Sequence, residues 1–136
     1  MISSAQLQTI FPLASKRIDS FIGPLQTAMQ DTNIVTPQRE AAFLAQVGHE
    51  SAELLYTREI SCGKALGLDL LSQPRLLEEP EGACRCAAWF WLMQHLNELA
   101  DQDAFGSITH RINGGYGGLD ARLKYWLRAR RALAIS

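Results

Sequence analysis

One glutamate of this sequence stands on the apolar face of a predicted helix. Residues 41–51 read AAFLAQVGHES, and Phe43 and Val47 precede Glu50 at helical spacing, so that all three share one face. A carboxyl group held against apolar side chains loses hydration, which raises its pKa. A general acid that works near neutral pH requires such a shift. The pattern therefore makes Glu50 a candidate general acid. The alternative is a glutamate at a helix end whose carboxylate reaches water.

The elements that would position this residue are helical almost throughout. Thr36 followed by Pro37 is a helix start signal, and the helix that it begins is predicted to run through Glu50 to about Leu55. Pro24 predicts a kink or a break within the preceding helix, Leu13–Asp31. No alternating strand pattern, repeat or linker is present. The remaining predicted helices are Ser3 or Ser4 to Pro12, Leu13–Asp31, Gly82–Ala100, Phe105–Ile112, which ends at the Gly114–Gly115 pair, and Leu119–Ile135.

Two of these helices carry side chains that could be read as binding surfaces. The aromatic cluster around Trp89, Phe90 and Trp91 is predicted to be core, with a sugar platform as the alternative. The last helix is predicted to place most of its basic residues on a solvated face. Those residues are Arg122, Lys124, Arg128, Arg130 and Arg131, with Leu123, Trp126, Leu127 and Leu133 beneath them.

Composition and charge limit the classes of protein to which this chain can belong. The chain has 136 residues, which fits one domain over residues 1–136, and its net charge of −1 gives no basic excess for nucleic acid binding. No segment approaches the length of a membrane span, and no signal peptide is recognised at the N-terminus. We therefore expect a cytoplasmic protein without stable membrane insertion.

The chain has three cysteines, and an odd number does not indicate a disulfide framework. Cys62, Cys84 and Cys86 are expected to be buried or half-buried free thiols in a reducing compartment. A zinc site is not expected, because there is no paired CxxC motif and the histidines are scattered. We predict no metal and no cofactor.

Three ordered motifs carry a family resemblance. The string FLAQVGHES closely resembles the catalytic-helix motif of family 19 glycoside hydrolases, particularly the short phage and prophage endolysins of that family. The other two matches are ITHRINGG with the following GLDARL, and ALGLDLL with QP and LL leading into AAWFW. The resemblance implies an all-α, lysozyme-like helical domain and an enzyme that cuts β-1,4 links in chitin or peptidoglycan.

The resemblance also implies a pair of catalytic carboxylates. Glycoside hydrolysis requires two. The motif match makes Glu50 the general acid, and Glu59 matches a family glutamate described as the base that activates water. An inverting enzyme holds the two carboxyls about 6.5–9.5 Å apart, whereas nine residues of continuous helix rise about 13.5 Å. The helix must therefore end near residues 54–57 and the chain must turn back. Glu53 is the rival second carboxylate, although a solvent-facing charge is expected there.

Three further residues are expected at the substrate site. Asn113 of the INGG motif is expected to bind the N-acetyl sugar, with a helix C-cap as an alternative or additional role. His49 is expected to contribute to substrate binding. Arg122 matches a family arginine near the acidic pair, where a fixed cation keeps one carboxylate ionised; surface solvation is its alternative. Gly117 stands where many relatives have a second asparagine.

The main departure from the family lies between Ile60 and Cys62. Relatives place several dozen residues there, which form a second lobe with a GRGxIQxTG motif, and this sequence has none of them. We expect one wall of the substrate cleft to be absent. The expected function is a cell-wall glycan hydrolase of the endolysin type that another protein brings across the membrane. The alternative is a degenerate member that binds glycan or another protein, with a possible homodimer through the face that the lobe would cover.

Overall fold

Helices account for most of the residues that the structure, a computed structural model, describes; these are residues 1–55 and 79–135. Within those ranges there is no β-strand, so the all-α prediction is confirmed. The elements are α1 (Ser4–Ile10), a short 3₁₀ turn (Pro12–Ala14), α2 (Ile18–Asp31), α3 (Pro37–Ser51), α4 (Pro80–Met93), α5 (Leu96–Asp101), α6 (Phe105–Asn113) and α7 (Leu119–Ala132).

Helix α3 is the central element and is buried along most of its length, as predicted. Its start follows the sequence signal, because the Thr36 side chain accepts a hydrogen bond from the backbone N–H of Arg39 at 3.3 Å and Pro37 is the first helical residue. It ends at Ser51 and not near Leu55, because residues 52–54 all have positive φ angles of 49°, 58° and 73°. The chain therefore turns directly after Ser51, one residue beyond Glu50.

The core lies between two helix pairs. Helix α3 packs against α7, and α2 packs against α4. The ring of Phe43 meets Trp91 edge-on with centroids 5.4 Å apart, and Phe105 stacks on Trp126 at 4.8 Å. These contacts join α3 to α4 and α6 to α7.

Two helix boundaries differ from those that the sequence suggested. Pro24 lies inside α2 without a break. The buried residues of α2, including Phe21 and Leu25, continue on both sides of Pro24, so packing outweighs the one missing backbone hydrogen bond. The segment predicted as one helix from Gly82 to Ala100 is divided between α4 and α5, because His95 adopts a left-handed conformation with φ 57°.

The last helix also differs from its prediction. Leu127 was expected beneath the basic residues, but 55% of its surface is exposed. Arg122, for which the solvated face was one of two expectations, is buried. A helix presents only one face to the core, and α7 turns the face with Arg122 and Ala129 inward.

The cysteine prediction holds for one residue and fails for another. Cys84 is a buried free thiol, and burial raises its pKa to about 12. Cys86 is disulfide-bonded, so the expectation that it is a free thiol was wrong. Cys62 lies outside the described residues. No helix in the described ranges is both long enough and apolar enough to cross a membrane.

Candidate active site

Among the residues that the structure describes, one carboxyl group lines a concave surface bounded by α3, α4 and α6. Its cavity has a volume of about 290 Å³. Glu50 and Asn113 both line it, as the sequence predicted, and most of the other lining side chains are apolar. The lining residues are Phe43, Gln46, Val47, Glu50, Ala87, Phe90, Trp91, Ile112 and Asn113. The apolar stripe of α3 that includes Phe43 and Val47 therefore does lead to Glu50 in the folded chain.

A buried cation holds the Glu50 carboxyl group. Nη2 of Arg122 lies 2.7 Å from Oε1 of Glu50. Only 3% of the Arg122 side chain is exposed, whereas 29% of the Glu50 side chain is exposed. Surface solvation, the alternative for Arg122, is therefore wrong. Glu50 keeps enough exposed surface for a ligand in the cavity to reach it.

The Arg122 guanidinium has two further partners. Nη1 donates to Oε1 of Gln46 at 2.6 Å, and Nε donates to the backbone carbonyl of Gly117 at 3.1 Å. Nε2 of Gln46 in turn donates to the hydroxyl of Thr109 at 2.9 Å, and both of those side chains are buried. The contacts join α3, α6 and α7 around Glu50.

Gln46 and Thr109 were not among the site residues predicted from the sequence. Gln46 precedes Glu50 by one helical turn, so a polar side chain at helical spacing on an apolar stripe was an available signal. Thr109 offered no such signal, because its contact with Gln46 spans 63 positions of sequence.

His49 lies beside this network. Its pKa is lowered, first by burial and then by the nearby Arg122 cation, with Glu50 acting in the opposite direction. The ring lies against Gly118, where a Cβ atom would stand 2.6 Å from Nε2 of His49. Gly118 also has φ 72°, so glycine is favoured there for two independent reasons.

Asn113 occupies the end of α6 and lines the cavity. It is the last residue of the helix, and Gly114, with φ 75°, is the C-cap. The capping role considered for Asn113 therefore belongs to Gly114. A Cβ atom at Gly117 would stand 2.7 Å from Nδ2 of Asn113, so the glycine leaves room for that amide.

Glu53 is not the solvent-facing charge that the sequence predicted. Only 3% of its surface is exposed. Its carboxylate accepts hydrogen bonds from the backbone N–H of Leu13 at 2.9 Å and from the Tyr125 hydroxyl at 2.8 Å. Burial, together with this carboxylate, raises the pKa of Tyr125 to about 12. Glu53 thus fixes the turn after α3 and is not among the residues that line the cavity.

The second predicted catalytic residue, Glu59, lies outside the described residues, so its distance from Glu50 stays a prediction.

The aromatic residues of α4 lie in more than one environment. Trp91 is buried in the core and also reaches the cavity, whereas Phe90 is half-buried on the cavity wall. Trp89 lies in a different groove, between α2 and α4. The core interpretation is therefore correct for Trp91 and incomplete for its neighbours.

Comparison with known proteins identifies the fold. No family model matches the sequence. The chain is 28% identical over 159 aligned positions to endochitinase At2g43620 of Arabidopsis thaliana, covering 86% of this chain and 56% of that protein. It is 29% identical over 132 positions to endochitinase At2g43610 of the same plant, covering 71% and 46%. The chain thus spans about half the length of these curated relatives.

A solved structure shows the same architecture. Chitinase C from Streptomyces griseus HUT6037 superposes with a TM-score of 0.76 at 20% identity, over 99% of this chain and 77% of that one. The relatives and this fold agree with the motif resemblance. The chain therefore has the fold of a family 19 chitinase and is similar in sequence to plant endochitinases.

Proposed function

We propose that this protein is a glycoside hydrolase that cleaves β-1,4 links in a glycan of N-acetylated sugars, either chitin or peptidoglycan. The observation that carries the proposal is the partly exposed Glu50 carboxyl group, fixed by a buried arginine at the edge of an apolar cavity. The names of the relatives, which are endochitinases and a chitinase, support the substrate class.

The proposed reaction uses Glu50 as the general acid. Glu50 protonates the leaving glycosidic oxygen, and Glu59 activates a water molecule on the opposite face of the sugar, which inverts the anomeric centre. After the proton has left, Glu50 carries a negative charge, and the Arg122 guanidinium 2.7 Å away stabilises that charge. The contacts of Arg122 with Gln46 and Gly117 keep the cation in place for this step.

The remaining cavity residues suit a sugar ring with an N-acetyl group. The half-buried Phe90 offers an apolar surface to the ring, and the exposed amide of Asn113 offers hydrogen bonds to the acetamido group. His49, whose lowered pKa favours the neutral form, can donate or accept one hydrogen bond at the border of the site. These assignments make Asn113 and His49 substrate-binding residues of the proposed enzyme.

A second candidate function follows from the length of the chain. The match to the first plant endochitinase runs over 159 positions, more than the 136 residues of this chain, so the relative carries additional residues inside the matched region. If those residues complete the catalytic cleft, this protein binds glycan without cleaving it. Orientation of substrate and water contributes several kcal/mol to such reactions, so its loss removes many orders of magnitude of rate.

The two functions are separated by measuring reducing ends released from chitin and from purified peptidoglycan. We expect Glu50→Gln to lower the rate by about 10²–10⁴-fold. The matched control is Glu98→Gln, an exposed glutamate of α5 outside the cavity, and it should keep the wild-type rate. Equal rates in wild type and Glu50→Gln would contradict the enzymatic proposal. Binding of both polymers without any release of ends would favour the second candidate.

The biological setting proposed is that of an endolysin. The polymer would then be the bacterial cell wall, and the protein, made in the cytoplasm, would need another protein to reach it. Release of peptidoglycan fragments at a rate above that on chitin supports this setting. A strict preference for chitin would contradict it and leave the chemistry of Glu50 unaffected.

A further inference from the structure

We propose that Gln46 is a positioning residue of this site, which holds the Arg122 guanidinium at Glu50 and is itself oriented by Thr109. The proposal deepens the function proposed above and rests on it for its effect on catalysis. It concerns a residue that acts through Arg122 and lines the cavity one helical turn before Glu50.

The hydrogen-bonding chemistry fixes the orientation of the Gln46 amide. Arginine has donors only, so the atom of Gln46 that faces Arg122 must be the carbonyl oxygen. The amide nitrogen then faces the Thr109 hydroxyl, which accepts at 2.9 Å. The reverse orientation would set an NH₂ group against a guanidinium inside the protein, where an unpaired donor is costly. Thr109 therefore favours the one orientation that serves Arg122.

The geometry leaves the cation with little freedom to move. Arg122 is held on three sides by Gln46 at 2.6 Å, by Gly117 at 3.1 Å and by Glu50 at 2.7 Å. Two of these partners, Gln46 and Glu50, project from the same face of α3 at positions one turn apart. Gln46 is neutral, so it fixes the cation without competing with Glu50 for its charge. A carboxylate at the same position would compete.

The first test is the nearly isosteric Gln46→Glu variant, followed through the carboxyl carbon of Glu50 by NMR as the pH is changed. A second carboxylate beside Arg122 should move the titration midpoint of Glu50 to higher pH by about one unit or more, with the two carboxyls titrating as a coupled pair. Glu50→Gln identifies the signal. This measurement needs no turnover, so it also decides the proposal for a protein that only binds glycan.

The second test removes the orienting hydroxyl. Thr109→Val keeps the shape of the buried side chain but leaves the Gln46 amide without its acceptor. We expect kcat to fall about tenfold with KM almost unchanged, and Thr109→Ser, which restores the hydroxyl, to recover most of the loss. Thr32→Val is the matched control, because Thr32 is also a buried threonine. Its hydroxyl donates a hydrogen bond to the backbone carbonyl of Ala28 in α2 at 2.8 Å. It should lower stability only.

The outcomes separate the two proposals. An unchanged Glu50 midpoint in Gln46→Glu would overturn the role of Gln46 whatever the activity of the protein. If the wild-type protein is active, equal kcat values in Thr109→Val and Thr32→Val would overturn the role of Thr109. A wild-type protein that cleaves no glycan would overturn the proposed function, and a shifted Glu50 midpoint in Gln46→Glu would then still support the positioning of Arg122.

Discussion

The contact between Gly118 and His49 can be tested with a pair of glycine substitutions. Gly118 and Gly114 have nearly the same φ angle, 72° and 75°. A Cβ atom at Gly118 would lie 2.6 Å from Nε2 and 2.8 Å from Cε1 of His49, whereas a Cβ atom at Gly114 would meet nothing within 4 Å. Alanine at either position therefore carries the same backbone strain, and alanine at position 118 alone also displaces a side chain of the site.

The magnitudes follow from these distances. A non-glycine residue in the left-handed region costs about 1–2 kcal/mol, which should be the whole effect of Gly114→Ala. Gly118→Ala adds the displacement of the His49 ring, and overpacking of this kind costs about 1–3 kcal/mol. The free energy of unfolding should thus fall by about 2–5 kcal/mol in Gly118→Ala.

Urea denaturation of both variants measures the difference directly. A double-mutant cycle isolates the contact, because in a His49→Ala background Gly118→Ala should cost no more than Gly114→Ala does in the wild type. The His49 ring signals in NMR should shift in Gly118→Ala. Equal losses of stability in the two glycine variants, with unmoved His49 signals, would refute the argument that this glycine makes room for the histidine.

Further predictions concern stability, pH and substrate size. Arg122→Met should lower the free energy of unfolding by about 3 kcal/mol, near the lower end for a broken buried pair because Glu50 is partly exposed; an unchanged urea midpoint would contradict this. The lowered pKa of His49 means that the unfolded chain binds its proton more readily, so stability should fall as the pH drops below 6.5, the unshifted value, and this slope should be absent in His49→Gln. The raised pKa of Tyr125 acts at alkaline pH, so the free energy of unfolding should fall as the pH rises from 10 through about 12. Tyr125→Phe should remove this slope and lower the free energy of unfolding by about 1.5–3 kcal/mol, because it loses the hydrogen bond to Glu53. A site that lacks the second lobe should be an open shelf, so calorimetry should show weak binding of short chito-oligomers compared with long polymers, and brisk hydrolysis of a short oligomer would show that the lobe is dispensable.

The parts of the fold that could be predicted are those with local causes. The start of α3 follows from a threonine cap and the adjacent Pro37, and the burial of its face follows from apolar residues at helical spacing. The same spacing placed Glu50 at the cavity with Phe43 and Val47. Each of these inferences needed only residues within two helical turns of one another.

The parts that could not be predicted depend on distant partners. Glu53 is buried because Leu13 and Tyr125, 40 and 72 positions away, supply its hydrogen bonds. The motif match implied that Arg122 lies near the acidic pair, but its burial depends on Gln46, 76 positions away, which accepts a hydrogen bond from its guanidinium. Both residues carry charges that are usually solvated, and only the tertiary packing of α3 against α7 gives them partners in the interior.

The end of α3 explains why two neighbouring glutamates have different environments. In a continuous helix Glu53 would follow Glu50 by almost one turn and would share its face. The left-handed residues 52–54 interrupt that geometry, so that Glu50 stays at the cavity while Glu53 is directed to Leu13 and Tyr125. Arg17 completes this arrangement by donating to the backbone carbonyl of Glu53 at 3.1 Å. The turn therefore has two effects: it brings the chain away from the helix axis, as a second carboxylate near Glu50 would require, and it leaves Glu50 as the carboxyl group of α3 that a ligand in the cavity can reach.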